Sequence, residues 1–123
     1  MRAIDPVSIV ITDTSILINL AHTGHLHLLG QLPGFRFVVP DEVIAEITRP
    51  EQAALIEEAL NSGWIQKESL ASTRELEVFA ELNQVLGSGE SACLAMAEVR
   101  GWLVACDEKR VFLREAKARI GLS

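Results

Sequence analysis

Short apolar runs alternate with longer stretches of helical periodicity along this chain, and this alternation constrains the fold more than any other feature. The clearest runs of strand length cover residues 7–11, 35–39 and 102–106. Strands that alternate with helical segments are typical of βαβ units, in which each connection crosses back over the sheet and the strands pair in parallel. The sequence therefore predicts an α/β fold whose strands are buried on both faces.

The segments between these runs predict the helices. They cover residues 15–29 with a break at Gly24, 41–48, 51–60, 72–86, 90–100 and 108–120. Pro40 is suited to open a helix and Pro50 to stop one, because proline fits the first turn but restrains the residue before it. Trp64-Ile65 is expected as a brief third strand, and Gly87-Ser88-Gly89 separates two helices. With no repeat or linker in between, residues 1–123 are expected as one domain.

Composition excludes several classes of protein. Of the 123 residues, 49% are apolar, which argues against intrinsic disorder and suffices for a core without disulfide or metal staples. Cys93 and Cys106 lie in apolar runs and are expected as small buried thiols. The first apolar run is too short for a signal peptide or a membrane span, so we expect a reduced cytoplasmic protein.

The charge is unevenly distributed. The formal net charge is −6, yet residues 100–123 hold 6 basic and 3 acidic side chains. Arg110, Arg114 and Lys117 recur at helical spacing in this segment. One interpretation is a solvated helix face with no function. The other is a surface that contacts phosphates beside an acidic site.

Two aspartates occupy equivalent positions in the predicted sheet. Asp13 follows the first strand and Asp107 the last, and ligands of open parallel sheets bind outside the carboxyl ends of the strands. Each residue alone is explained by helix capping, but the pair suggests a shared cleft if the strands are neighbours. Glu90, in the first turn of its helix, and Glu46 can join them. Four carboxylates supply the hard oxygen ligands of Mg²⁺ or Mn²⁺, the ions of metal-dependent phosphodiester hydrolysis.

Four motifs carry these acids, and each resembles a motif of the PIN-domain nucleases. The first is Asp13-Thr14-Ser15-Ile16-Leu17-Ile18-Asn19-Leu20, the second Val39-Pro40-Asp41-Glu42-Val43-Ile44-Ala45-Glu46-Ile47, the third Gly87-Ser88-Gly89-Glu90-Ser91-Ala92 and the fourth Ala105-Cys106-Asp107-Glu108-Lys109-Arg110. Their order and spacing match the family over nearly the whole chain. The chain is most similar to the short prokaryotic PIN proteins, which include the VapC-type toxin ribonucleases of toxin–antitoxin pairs.

This resemblance implies a three-layer α/β/α sandwich and a Mg²⁺- or Mn²⁺-dependent ribonuclease with Asp13, Glu46, Glu90 and Asp107 as metal ligands. It further implies a homodimer and an inhibitory antitoxin protein. The shortness of the first apolar run predicts no membrane association. Thr14, Ser15 and Asn19 would be polar supports of the site, although Thr14 could equally cap the helix that follows. Lys109, Arg110 and Arg114 would contact RNA. Such relatives continue past the region of Gly121 into one more strand and helix, so we expect the last edge strand to be missing.

Other functions are weighed against this one. His22, His25 and His27 are expected as surface residues, because a transition-metal site needs more ligands. A phospho-receiver domain needs an aspartate in mid-chain, and none occurs between Asp41 and Asp107. A non-catalytic PIN-like module that binds RNA or protein stays open as the alternative to a nuclease.

Overall fold

A computed structural model of the protein describes residues 7–105. Predictions that fall on residues 106–123, among them Cys106 and the last helix, lie outside this part of the chain. Within it the strands are β1 (Ser8–Thr12), β2 (Phe35–Pro40), β3 (Gln66–Glu68) and β4 (Leu103–Ala105). The helices are α1 (Thr14–Thr23), α2 (Asp41–Glu46), α3 (Pro50–Asn61), α4 (Thr73–Leu82) and α5 (Ser88–Arg100), with a 3-10 helix at Leu26–Gly30.

The four strands form one parallel sheet in the order β3-β2-β1-β4. The chain first builds outward from β1 to β2 and β3, then returns to place β4 on the other side of β1. Val10 pairs with Phe37 of β2 and with Leu103 of β4. This change of direction creates a topological switch point between β1 and β4, which is where a doubly wound sheet opens a cleft.

Helices cover both faces of the sheet, because right-handed crossovers to β2 and back to β4 run over opposite faces. Helix α1 packs against α3, whereas α5 packs against α4 and contacts β1, β2 and β4. Aliphatic side chains fill the space between the layers, with Ile11, Leu17, Val39 and Ala92 fully buried. The predicted α/β/α sandwich with a parallel central sheet is confirmed for the described residues.

Several element boundaries differ from the predictions. The break at Gly24 is real: this glycine ends α1 with φ of 76°, a left-handed conformation that costs glycine little. Helix α5 begins at Ser88, so Gly89 lies inside its first turn and does not precede it. Helix α4 ends at Leu82 and is shorter than predicted.

The third strand is displaced from its predicted position. Ile65 is only 1% exposed, but it and Trp64 pack into the core from the turn before the strand. The residues that pair with β2 are the polar Gln66, Lys67 and Glu68. A polar sequence suits a strand at the edge of a sheet, where it discourages pairing with other chains.

Candidate active site

The candidate site lies at the carboxyl end of β1, beside β4. The backbone N–H of Asp13 donates to the carbonyl oxygen of Ala105 at 3.3 Å, which ties the end of β1 to the end of β4. The two strands are therefore neighbours, as the pairing of Asp13 with Asp107 requires. Asp107 itself comes two positions after Ala105 in the sequence, outside the described residues.

Among the acids of the site that the structure describes, Asp13 is the most deeply buried, with 3% of its surface exposed. It is the N-cap of α1, and its Oδ1 accepts a hydrogen bond from the backbone N–H of Ile16 at 2.9 Å. The suggestion that Thr14 caps this helix is therefore wrong, because the aspartate occupies the cap. The capping role of Asp13 does not exclude a role as a metal ligand, because a carboxylate has two oxygens.

Glu46 is the last residue of α2, and two other helices hold its carboxylate. The hydroxyl of Thr14 donates to Oε1 at 2.6 Å, and the backbone N–H of Gly89 donates to Oε2 at 2.9 Å. Thr14 begins α1 and Gly89 belongs to the first turn of α5. Glu46 therefore joins the amino-terminal ends of two helices that lie far apart in the sequence, although its own side chain is exposed.

Glu90 brings a second carboxylate to the same place. A methyl group built on Gly87 would lie 3.8 Å from Glu46 Oε2 and also 3.8 Å from Glu90 Oε1. The two oxygens can thus be no further apart than twice this distance. The half-buried Glu90 lies in the first turn of α5, where the helix dipole favours a negative charge. Two of the predicted acids therefore lie on the same side of the molecule, next to Gly87.

The chemistry of these donors fits a magnesium or manganese ion. Mg²⁺ is usually held by one or two carboxylates, with water or substrate phosphate oxygens completing its coordination. Glu46 and Glu90 supply two carboxylates, and a cation between them would offset their mutual repulsion. Within residues 7–105, however, no three histidine, cysteine, aspartate or glutamate side chains form a group suited to hold a metal. A larger ligand set would need Asp107 from beyond this range.

The predicted supporting residues differ in their placement. Thr14 contacts Glu46 directly, Ser15 is half-buried next to it on α1, and Asn19 is exposed one turn further along. The residues predicted to contact RNA, which are Lys109, Arg110 and Arg114, lie outside the described part of the chain. Their role stays a prediction.

Sequence reasoning missed the contact between Gly89 and Glu46. A signal was present, because a glycine directly before Glu90 offers room for a close approach, but its partner lies 43 positions earlier in the chain.

The predictions for the cysteines and histidines can be compared with the structure at four residues. Cys93 is buried, with its thiol 3.8 Å from the carbonyl oxygen of Thr12, and His22 and His25 are exposed. His27 is half-buried with its ring edge-on to Trp64 at 6.2 Å.

Comparisons with known proteins assign the family. A family model described as a PIN domain matches residues 9–122, which is most of the chain. A search of the curated proteins finds no match. None of the helices between residues 7 and 105 has the length and apolar character to span a membrane. The matched region contains all four motifs and covers well over half of the sequence, and the chain therefore belongs to the PIN-domain family.

Proposed function

We propose that this protein is a divalent-metal-dependent endoribonuclease that hydrolyses phosphodiester bonds of RNA in the cytoplasm. The observation that carries the proposal is the convergence of Glu46 and Glu90 in front of Gly87. It occurs at the end of β1 in a sheet whose switch point lies between β1 and β4. PIN domains are generally nucleases, which supports the reaction class.

The proposed metal ligands are Asp13, Glu46, Glu90 and Asp107. A bound Mg²⁺ or Mn²⁺ supplies Lewis-acid stabilisation of charge on the phosphate and lowers the pKa of water. The chain's own contribution is to hold the carboxylates in place before substrate arrives. Thr14 and Gly89 do this for Glu46, and preorganised ligands are what such catalysis requires.

Substrate binding is proposed to use the basic segment that follows Asp107. Lys109, Arg110 and Arg114 would contact phosphates of the RNA backbone, and Ser15 and Asn19 would support the site as polar neighbours. Phosphate contacts of this kind position a nucleic acid without reading its sequence. They would also make RNA binding weaken as salt concentration rises.

Partners are proposed from the likeness to short prokaryotic PIN proteins. The chain would act as the toxin of a toxin–antitoxin pair, as a homodimer restrained by an antitoxin protein. Co-purification of a small partner encoded beside this protein, with loss of RNA cleavage in the complex, is the expected result. Cleavage that is unaffected by every such neighbour would contradict the toxin role and leave the nuclease proposal intact.

The nuclease proposal is tested by an RNA cleavage panel with and without Mn²⁺. We expect cleavage by the wild-type protein only with the ion, and none by Asp13→Asn, which removes the charge while keeping a capping side chain. Glu77→Gln is the matched control, because Glu77 is an exposed acid of α4. Undiminished cleavage by Asp13→Asn would contradict the assignment. No cleavage and no Mn²⁺ binding at millimolar concentration would favour a non-catalytic module that binds RNA or protein.

A further inference from the structure

We infer that Gly89 is a positioning residue for Glu46, and that its missing side chain is what allows the Glu46 carboxylate to take its place in the site. The inference rests on the proposed function, in which Glu46 binds the metal ion. It adds a residue that touches neither metal nor substrate. It also explains why a glycine stands inside the first turn of α5, where alanine would form a better helix.

The carboxylate of Glu46 is held from two sides. Its Oε1 accepts from the Thr14 hydroxyl and its Oε2 from the Gly89 N–H. Because α2 ends at Glu46 and the side chain is exposed, the short helix alone cannot fix where the carboxylate points. The hydrogen bonds from α1 and α5 do so, and each oxygen keeps a lone pair for a cation.

There is no room for a side chain at position 89. A methyl group built on Gly89 would lie 2.5 Å from Glu46 Oε1 and 3.0 Å from its Cδ. Those atoms are the end of a flexible side chain, so the protein can accept a methyl group by moving the carboxylate away. The expected damage is therefore to the position of Glu46 and not to the fold.

Helix propensity alone predicts that Gly89→Ala is harmless, whereas the inference predicts weaker metal binding. This difference makes the inference testable. Gly89 does not adopt a positive φ, so alanine fits the backbone there and should stabilise the helix. A glycine kept only as part of a turn would give a Gly89→Ala protein that is at least as stable and binds metal normally. A positioning glycine would give a protein that is equally stable but binds metal weakly.

Gly87 provides a steric comparison for Gly89. It precedes the same helix, faces the same two carboxylates and has φ of −67°. A methyl group there would lie 3.8 Å from both Glu46 and Glu90, which is ordinary van der Waals contact. Gly87→Ala would therefore not displace Glu46, but its methyl group would lie against both carboxylates. The control for metal binding is Glu77→Gln, which changes an exposed acid of α4.

The first experiment measures Mn²⁺ affinity by titration calorimetry, together with thermal unfolding of the metal-free proteins. We expect Gly89→Ala to bind Mn²⁺ about tenfold or more weakly, as is typical when a group that orients a ligand is lost. Its melting temperature should not fall, and Glu77→Gln should bind like the wild type. Wild-type affinity in Gly89→Ala, or equal weakening in both variants, would overturn the inference.

The second experiment does not depend on metal. The amide of Gly89 is followed by ¹H–¹⁵N NMR in the metal-free wild type and in Glu46→Ala. Loss of the charge-assisted hydrogen bond should shift the Gly89 amide resonance upfield and speed its exchange with solvent. An unchanged amide would overturn the inference. A wild-type protein that binds no Mn²⁺ would contradict the proposed function instead, and the amide result alone would then decide whether Gly89 holds Glu46.

Discussion

Arg100 donates two hydrogen bonds to the carboxylate of Glu75, from Nε to Oε2 at 2.7 Å and from Nη2 to Oε1 at 2.9 Å. This pair joins the end of α5 to the start of α4. Arg100 also donates to Glu68 Oε1 at 2.8 Å and to the carbonyl oxygen of Ser69 at 2.7 Å. Its guanidinium lies 4.7 Å from the centre of the Trp102 ring. One side chain therefore connects two helices with the end of β3.

The first prediction concerns the charge of Glu75. Glu75→Gln keeps the hydrogen bond from the Ala71 N–H but leaves a mostly buried guanidinium without its closest counter-charge. We expect the free energy of unfolding to fall by about 2–4 kcal/mol, somewhat less than for a fully buried pair because 18% of the Arg100 side chain is exposed. Urea unfolding at neutral pH measures it.

A second ion pair of α4 serves as the control. Arg74 contacts Glu98 at 3.3 Å, but 60% of its side chain is exposed to solvent. Arg74→Gln should therefore cost less than about 1 kcal/mol. Equal losses in the two variants would show that burial does not distinguish these pairs, contrary to the prediction.

The second prediction is a dependence of stability on acid. The hydrogen bond from Arg100 lowers the pKa of Glu75 from 4.5 to about 2, against the opposing effect of burial. Because this pKa is lower in the folded state, the unfolded chain takes up a proton first as the pH falls. The contribution of the pair is thus complete above about pH 4.5 and is lost between about pH 4.5 and 2.

Urea unfolding of wild type and Glu75→Gln at several pH values tests this. The difference between the two free energies of unfolding should be largest near neutral pH and shrink towards zero near pH 2, by on the order of 3 kcal/mol in total. Other carboxylates titrate in both proteins and largely cancel. A difference that stays constant with pH would contradict the lowered pKa of Glu75.

Local patterns were sufficient to predict much of this molecule. The apolar runs around Val10 and Val38 predict buried strands, and a periodic stripe of small residues predicts α5. Asp13 could be identified because the end of a strand is a position with a known role in parallel sheets. Gly24 could be recognised as a helix stop because only the backbone conformation matters there.

Contacts between distant elements could not be predicted in this way. Glu46 depends on Thr14 and Gly89, which come together only when three helices have packed. Arg100 and Glu75 look like ordinary surface charges in the sequence. Ser72 and Glu75 do form a capping box at the start of α4, with Ser72 Oγ accepting from the Glu75 N–H at 3.1 Å. Their spacing is a further signal for this helix start, which the sequence predicts at Ser72.

The third prediction separates the two roles of Asp13. Asp13→Ala removes the cap of α1 and should lower the free energy of unfolding by about 0.5–2 kcal/mol in metal-free buffer. Asp13→Asn retains an oxygen that can accept from the Ile16 N–H, so it should lose clearly less. Thermal unfolding of the metal-free proteins compares them. If asparagine were as damaging as alanine, the charge of Asp13 and not its capping would be what holds the end of β1.

The fourth prediction is that Mn²⁺ stabilises the folded protein. A ligand that binds only the folded state adds about 2.7 kcal/mol at a hundred times its dissociation constant, which corresponds to a rise in melting temperature of roughly 5–15 °C for a domain of this size. EDTA should reverse the rise, and Glu77→Gln should show it in full.

The fifth prediction is that Asp107 contributes a ligand to the bound ion. Within residues 7–105 the candidate acids form no group of three suited to a metal, so a ligand set larger than Glu46 and Glu90 needs a carboxylate from the segment after β4. Asp107→Asn and Asp13→Asn should then each reduce the Mn²⁺-dependent rise in melting temperature. A full rise in Asp107→Asn would restrict the ligands to Asp13, Glu46 and Glu90. A full rise in both variants would mean that Mn²⁺ binds somewhere other than the end of β1.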